Sequence, residues 1–303
     1  LAARLGFTAI KIIFATKPTT NVLFTNRDIA DYYNQTMQHY QRWWKLDSAL
    51  AVHYGLWHPH TRSFEEALKN TNFELAKLAG ITGSCRVLDA GCGVGGSAFF
   101  LAETYECRVS GITLSEKQLS YAEQQNIKLD FGKRVDFKLE DYTQTSFPDE
   151  TFDVVWAIES LTSAPDKQKF AAEAFRILKP SGVLVLADYF SITGKPDPKA
   201  WLEKWRLSWS LAPIITADDF KQQMDFSGLK LEKKLDVTKQ ITPTARRMYL
   251  ASLAGTVPSI IYNTLFNASR FSRGHYKSGI YQYKALKSGL WNYNLMKFVK
   301  PTL

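Results

Sequence analysis

Five apolar runs recur between residues 85 and 190: "CRVLDAG", "CRVSGITLS", "RVDFKLED", "FDVVWAIES" and "GVLVLADYF". Short, nearly continuous apolar stretches bounded by glycine and polar residues read as buried strands. The spacers "EKQLSYAEQQNIKLD" and "DKQKFAAEAFRILKP" carry helical patterns instead. Strands alternating with helices predict an α/β fold with a doubly wound parallel sheet. Upstream, "IADYYNQTMQHYQRWWKLDSALAVHYGLW" predicts an aromatic-rich helical arm. Downstream, "KPDPKAWLEKWRLSWSLAP" breaks the regular spacing and reads as a helical insertion placed to act as a lid, and "LWNYNLMKFVKP" reads as a closing strand. The expected organisation is a helical arm and cap over 1–78, a core over 79–190, and a lid with closing strands over 191–303.

Composition narrows the class. With 303 residues, 45% apolar and 22% charged, the chain belongs with globular proteins rather than disordered or collagen-like ones. Cys85, Cys92 and Cys107 are too few for a disulfide framework, so a reducing, cytoplasmic setting is expected, with the cysteines as core residues and no metal site. The chain opens on Leu1, which leaves room for a trimmed targeting peptide. The segment "LAARLGFTAIKIIFATK" is too short and too interrupted by lysine to span a bilayer.

The net charge of +9 is uneven. From Val237 to Leu303 there are ten basic residues and no acidic one, so the rest of the chain carries −1. A solvated basic face, an anionic substrate and a membrane surface all remain open readings. Within this region the 22 uncharged residues "MYLASLAGTVPSIIYNTLFNAS" include Pro258, Gly255 and two asparagines. They make a poor membrane span and read as buried lid helices bounding an apolar pocket. The basic and aromatic interleaving of "RFSRGHYKSGIYQYK" could suit nucleic acid. The closing strand is the more economical reading, so no nucleic acid and at most peripheral membrane contact are expected.

The chemistry begins at "VLDAGCGVGGS", residues 87–97. Glycines between a strand and a helix let the backbone turn tightly and let a ligand approach it closely, as at nucleoside cofactor sites. Taken alone, the G-x-G-x-G-G pattern is shared by tight turns and dinucleotide sites.

Together with "LEDYTQTSFPDETFDVVW" and "AFRILKPSGVLVLAD", the "LDAGCG" form resembles the class I S-adenosylmethionine-dependent methyltransferases over about residues 80–190. The resemblance implies a seven-stranded, mostly parallel Rossmann-like sheet and S-adenosylmethionine as cofactor, with S-adenosylhomocysteine as product. It implies that Asp89 and the backbone at Gly91 and Gly93 hold the methionine and ribose part, that Asp141 and Tyr142 flank the adenine, and that Ala157 joins the cofactor set. "GITLSEKQ" puts Thr113 where the broad class carries a carboxylate. That form is similar to tocopherol methyltransferases and cyclopropane fatty acid synthases, which implies Thr113, Leu114 and Gln118 as further cofactor contacts.

"YYNQTMQHYQRWW" resembles the arm of sterol C-methyltransferases in the spacing of Tyr32, Tyr33, Tyr40 and Trp44, and "HYGLW" resembles the segment that supplies His53 and Trp57. The resemblance implies that this arm folds over the cofactor and walls the substrate pocket. "AIESLTSAPDKQKF" matches the sterol enzymes at Glu159, Ala164, Pro165 and Asp166, with Ser163 at their histidine position. In an open parallel sheet the working site lies beyond the carboxyl ends of the strands, so Glu159 is expected to face the reactive methyl.

The implied activity is methylation of a small lipophilic acceptor, with Glu159, His53 and Tyr33 as catalytic residues. The specific expectation is carbon methylation of an isoprenoid, a prenyl diphosphate or other terpenoid, which would leave a carbocation for Glu159 and aromatic faces to stabilise. The alternative is N- or O-methylation of an aromatic, quinol or alkaloid-like molecule, with Glu159 or His53 removing the proton. For a prenyl diphosphate, Arg246, Arg247, Arg270 and Arg273 are the candidate anion contacts.

Overall fold

A computed structural model of the chain describes residues 23–43, 46, 50–266 and 269–302. Residues 1–22 and Trp44 lie outside the described residues, as do the side chains of Tyr40 and Arg270. Seven described strands form one sheet: β1 (Arg86–Ala90), β2 (Arg108–Thr113), β3 (Val135–Leu139), β4 (Phe152–Ile158), β5 (Leu178–Ser191), β6 (Lys230–Asp236) and β7 (Trp291–Val299). Their order is β3-β2-β1-β4-β5-β7-β6, and β7 alone runs antiparallel to its neighbours. The order reverses between β1 and β4, which opens a crevice at the carboxyl ends of those strands.

The central strands β1, β4 and β5 are apolar on both sides because both faces are covered. Successive side chains point to opposite faces. Val87, Trp156 and Val185 accordingly join one core with Tyr54, Trp205 and Trp291, while Leu88, Val155 and Leu184 join the other with Phe170, Phe220 and Phe298. The covering helices are α1 (Asn26–Trp43), α2 (Phe64–Ala79), α3 (Gly96–Tyr105), α4 (Glu116–Leu129), α5 (Lys167–Ile177), α6 (Trp201–Ser208) and α7 (Ala217–Phe226). After β6 come α8 (Thr238–Leu265), the short α9 (Arg270–His275) and α10 (Ser278–Lys287). Their starts are fixed locally: Ser63, Ser115, Asp166 and Thr216 accept hydrogen bonds from the first-turn amides of α2, α4, α5 and α7.

The uncharged segment 248–269 departs from the buried lid expected of it. Its first 18 residues, to Leu265, belong to α8, a single 28-residue helix that docks through Ile241, Thr244, Ala245 and Gly255. Leu250, Leu253, Val257, Ile260 and Ile261 are exposed. Apolar composition predicted burial, but the helix meets its neighbours along one face only. No helix among the described residues is long and apolar enough to cross a membrane. The three cysteines are free, and no cluster of potential metal ligands occurs among the described residues.

Candidate active site

The carboxyl ends of β1, β2, β4 and β5 and the arm α1 surround one cavity which, counted together with the open space at its mouth, holds about 1130 Å3 free of atoms. At one side lies the glycine loop. Asp89 is the penultimate residue of β1, and its Oδ2 is buried with no hydrogen-bond partner among the described residues. Burial pushes its carboxyl up to about 7. A buried carboxylate without a partner is costly, and a cationic ligand group would relieve it. Gly91 has φ +88, and a Cβ there would overlap the Cβ of Ser160. Gly93 has φ +55, and a Cβ there would meet nothing nearer than Gln118 Nε2 at 3.8 Å. The backbone is therefore crowded by the protein itself at Gly91 and open to the cavity at Gly93.

Thr113 and Gln118 are buried, and the Thr113 hydroxyl donates to Gln118 Oε1 at 2.9 Å. Both line the cavity with Leu114 and Tyr142. The Tyr142 hydroxyl donates to the Ser160 carbonyl at 3.0 Å, and burial raises its pKa. Asp141 does not line the cavity. It accepts from Asn26 Nδ2 at 2.5 Å and from the Thr143 amide and hydroxyl, so it latches the start of α1 to the loop after β3. Ala157 is buried within β4.

The other side of the cavity carries the acid-base groups. Glu159 follows β4 with φ +51, a conformation that costs a non-glycine residue strain. Its Oε1 accepts from the Tyr54 amide at 2.6 Å and the Tyr293 hydroxyl at 2.7 Å, and burial raises its pKa well above the ordinary carboxyl value. His53 is buried, with Nδ1 at 3.0 Å from the Tyr54 carbonyl. A carbonyl can only accept, so Nδ1 carries the proton and Nε2 a lone pair. Nε2 has no partner among the described residues, and burial lowers the imidazole to about 4, which keeps it neutral.

Tyr33 hydrogen-bonds Ser163, and burial pushes its pKa up to about 12. Tyr32 is buried, and its hydroxyl lies 3.1 Å from His275 Nδ1. The structure thus brings together Tyr32, Tyr33, His53, Asp89, Gly91, Gly93, Thr113, Leu114, Gln118, Tyr142 and Glu159 in one cavity. Trp57 stands apart, its indole donating to Thr244 Oγ1 at 3.0 Å. Arg246 and Arg247 are exposed on α8, with Arg247 over the Phe64 ring at 4.7 Å, and Arg273 is exposed on α9. No lysine or arginine is among the described residues lining the cavity.

Sequence reasoning missed Tyr189, Trp209 and Leu211, which also line it. Tyr189 sits near the carboxyl end of β5, where the same strand-end rule used for Glu159 would have found it. Beside it, Asp188 accepts from the Thr162 amide at 3.0 Å and from the Thr162 hydroxyl, fixing the turn that presents Ser163 to Tyr33.

Residues 88–186 match the methyltransferase domain family. The chain is 31% identical over 231 residues, 76% of its length and 81% of the relative's, to the 27-O-demethylrifamycin SV methyltransferase of Amycolatopsis mediterranei. It belongs to the S-adenosylmethionine-dependent methyltransferases. Within this family it is also 34% identical to the sterol 24-C-methyltransferase of Eremothecium gossypii, over 54% of this chain and 43% of that one. The solved geranyl diphosphate C-methyltransferase of Streptomyces coelicolor A3(2) shares the fold, with a TM-score of 0.72, 19% identity and coverage of 91% of this chain and 97% of that one. The Asp89 Oδ2, which has no partner among the described residues, and the open backbone at Gly93 suit S-adenosylmethionine, whose amine and close-packed body supply what those two positions lack.

Proposed function

We propose that this methyltransferase acts on a hydroxyl group of an uncharged, apolar small molecule, with His53 taking the hydroxyl proton. The observation that carries this reading is His53 itself: a neutral imidazole in the cavity lining, its tautomer fixed by the Tyr54 carbonyl, with a buried Nε2 that has no partner among the described residues. When bound, S-adenosylmethionine supplies a methyl group made electrophilic by its sulfonium. Acceptor binding against Tyr33, Tyr189 and Trp209 excludes water and aligns the hydroxyl oxygen. Glu159, held rigid by two donors, orients that oxygen, and His53 Nε2 accepts its proton as the oxygen is methylated. The O-methylating rifamycin relative, matched over most of both chains, supports an oxygen acceptor. A described lining that holds carboxyl groups but no lysine or arginine supports a neutral one in place of the diphosphate considered from sequence.

A second reading has its own observation. A carboxyl and several aromatic rings share the cavity, an arrangement suited to the carbocation left by methylating an isoprenoid double bond. Product analysis separates the two. Incubation with methyl-labelled cofactor and a panel of macrocyclic alcohols, quinols, sterols and prenyl compounds should give a methoxy group by NMR. His53→Gln should lower turnover by roughly 10²-fold while S-adenosylhomocysteine still binds normally. A carbon-bound methyl in the product, or near-normal turnover of His53→Gln, would overturn the hydroxyl reading.

A further inference from the structure

We propose that the outward face of α8 docks onto an anionic lipid bilayer. Leu250, Leu253, Val257, Ile260, Ile261 and Leu265 are 51%, 45%, 64%, 49%, 52% and 71% exposed. Their spacing places them on one side of the helix, opposite the docked Ile241, Ala245 and Gly255. The stripe runs for about 22 Å at the rise of an α-helix, and residues 248–269 carry no charge. Contiguous apolar surface of this kind on a soluble protein marks an interaction site.

Charge selects the occupant. Arg246 and Arg247 are exposed one turn before Leu250, the Arg247 guanidinium resting over the Phe64 ring, and α8 carries no acidic residue. A second copy pressed against this face would bring like charges together, whereas anionic headgroups would meet them with the opposite sign while the apolar stripe enters the acyl boundary. The surface also adjoins the site. After α8, Phe271 of α9 packs edge-on against Tyr32 at 5.9 Å between ring centres, and Tyr32 lines the cavity. An apolar acceptor dissolved in the bilayer would thus be held near the arm that walls the pocket. The inference is independent of which atom is methylated.

Vesicle flotation of the full chain tests it, with phosphatidylcholine alone and with phosphatidylcholine mixed with phosphatidylglycerol. Binding should require the anionic lipid and weaken with added salt. Arg246→Gln with Arg247→Gln should reduce partitioning roughly 10- to 30-fold, taking about fivefold for each charge near the surface. Val257→Glu with Ile261→Glu should abolish it, while S-adenosylhomocysteine binding by calorimetry shows that both variants remain folded. Three outcomes would overturn the proposal: no vesicle binding, equal binding to neutral and anionic vesicles, or a dimer in sedimentation that Val257→Glu with Ile261→Glu dissolves.

Discussion

Adding one methyl group at Gly93 separates space reserved for the cofactor from space needed by the protein. Gly93→Ala places an L-residue at φ +55, and its Cβ would meet only Gln118 Nε2 at 3.8 Å, an ordinary contact. The cost to folding is therefore the left-handed backbone alone, about 1–2 kcal/mol. For a chain of this size that lowers the melting temperature by roughly 2–3 °C. Gly132→Ala is the matched control, with φ +57, nothing within 4 Å of its Cβ, and a position away from the cavity. Gly91→Ala is the opposite case: φ +88 plus overlap with Ser160, which adds about 1–3 kcal/mol for overpacking. The three variants should then rank differently in two assays. In thermal melts, Gly93→Ala and Gly132→Ala should lose similar amounts and Gly91→Ala more. In calorimetric titration with S-adenosylhomocysteine, Gly132→Ala should bind like the parent, whereas Gly93→Ala should lose at least tenfold and Gly91→Ala more still. Equal affinity of Gly93→Ala and Gly132→Ala would refute the assignment of that space to the cofactor.

Two further outcomes test the polar groups. Glu159→Gln keeps an oxygen for the Tyr54 amide and the Tyr293 hydroxyl but removes the carboxyl, so turnover should drop by roughly 10²-fold with little change in cofactor affinity or melting temperature, and near-normal turnover would reduce Glu159 to a strut. Asp89 is raised to about 7 from 3.8 in the ligand-free site, so it holds a proton there below pH 7 and must release it to face the cationic amine: affinity for S-adenosylhomocysteine should rise with pH up to about 7 and then level, with proton release seen as buffer-dependent calorimetric enthalpy that Asp89→Asn reduces. The same shift means that Asp89 destabilises the ligand-free fold as pH climbs from about 4 to 7, and an enthalpy at pH 6 that is identical in all buffers would remove the basis for both statements.

The glycine loop, Asp89, Thr113 and Gln118 were legible in the sequence because backbone geometry and strand-end position restrict which residue types can stand there. Glu159 was legible for the same reason. Trp209 and Leu211 were not, since they reach the cavity from an insertion whose path only tertiary packing determines. The strand β6 was missed because five of the seven residues in "KLEKKLD" are charged: it lies at the sheet edge, almost wholly exposed, where lysines discourage pairing with other chains. In α8 the composition was read correctly as apolar but its covering was not, because a count of apolar residues does not say which face meets a neighbour. Likewise the basic excess was visible as a sum, while the direction in which Arg246 and Arg247 point was not.

The placement of β7 between β5 and β6 sets an order on synthesis. The strand β6 leaves the ribosome with no neighbour to join, since its only partner among the described strands, Trp291–Val299, is made later. At ribosomal speed the roughly 55 residues between them take on the order of 3–10 s. During that interval β5 has one bare edge, and Glu159 lacks the Tyr293 hydroxyl that later holds it. The lysines of β6 then have a use in time as well as in space: they keep a waiting strand dissolved until the strand that will carry it arrives.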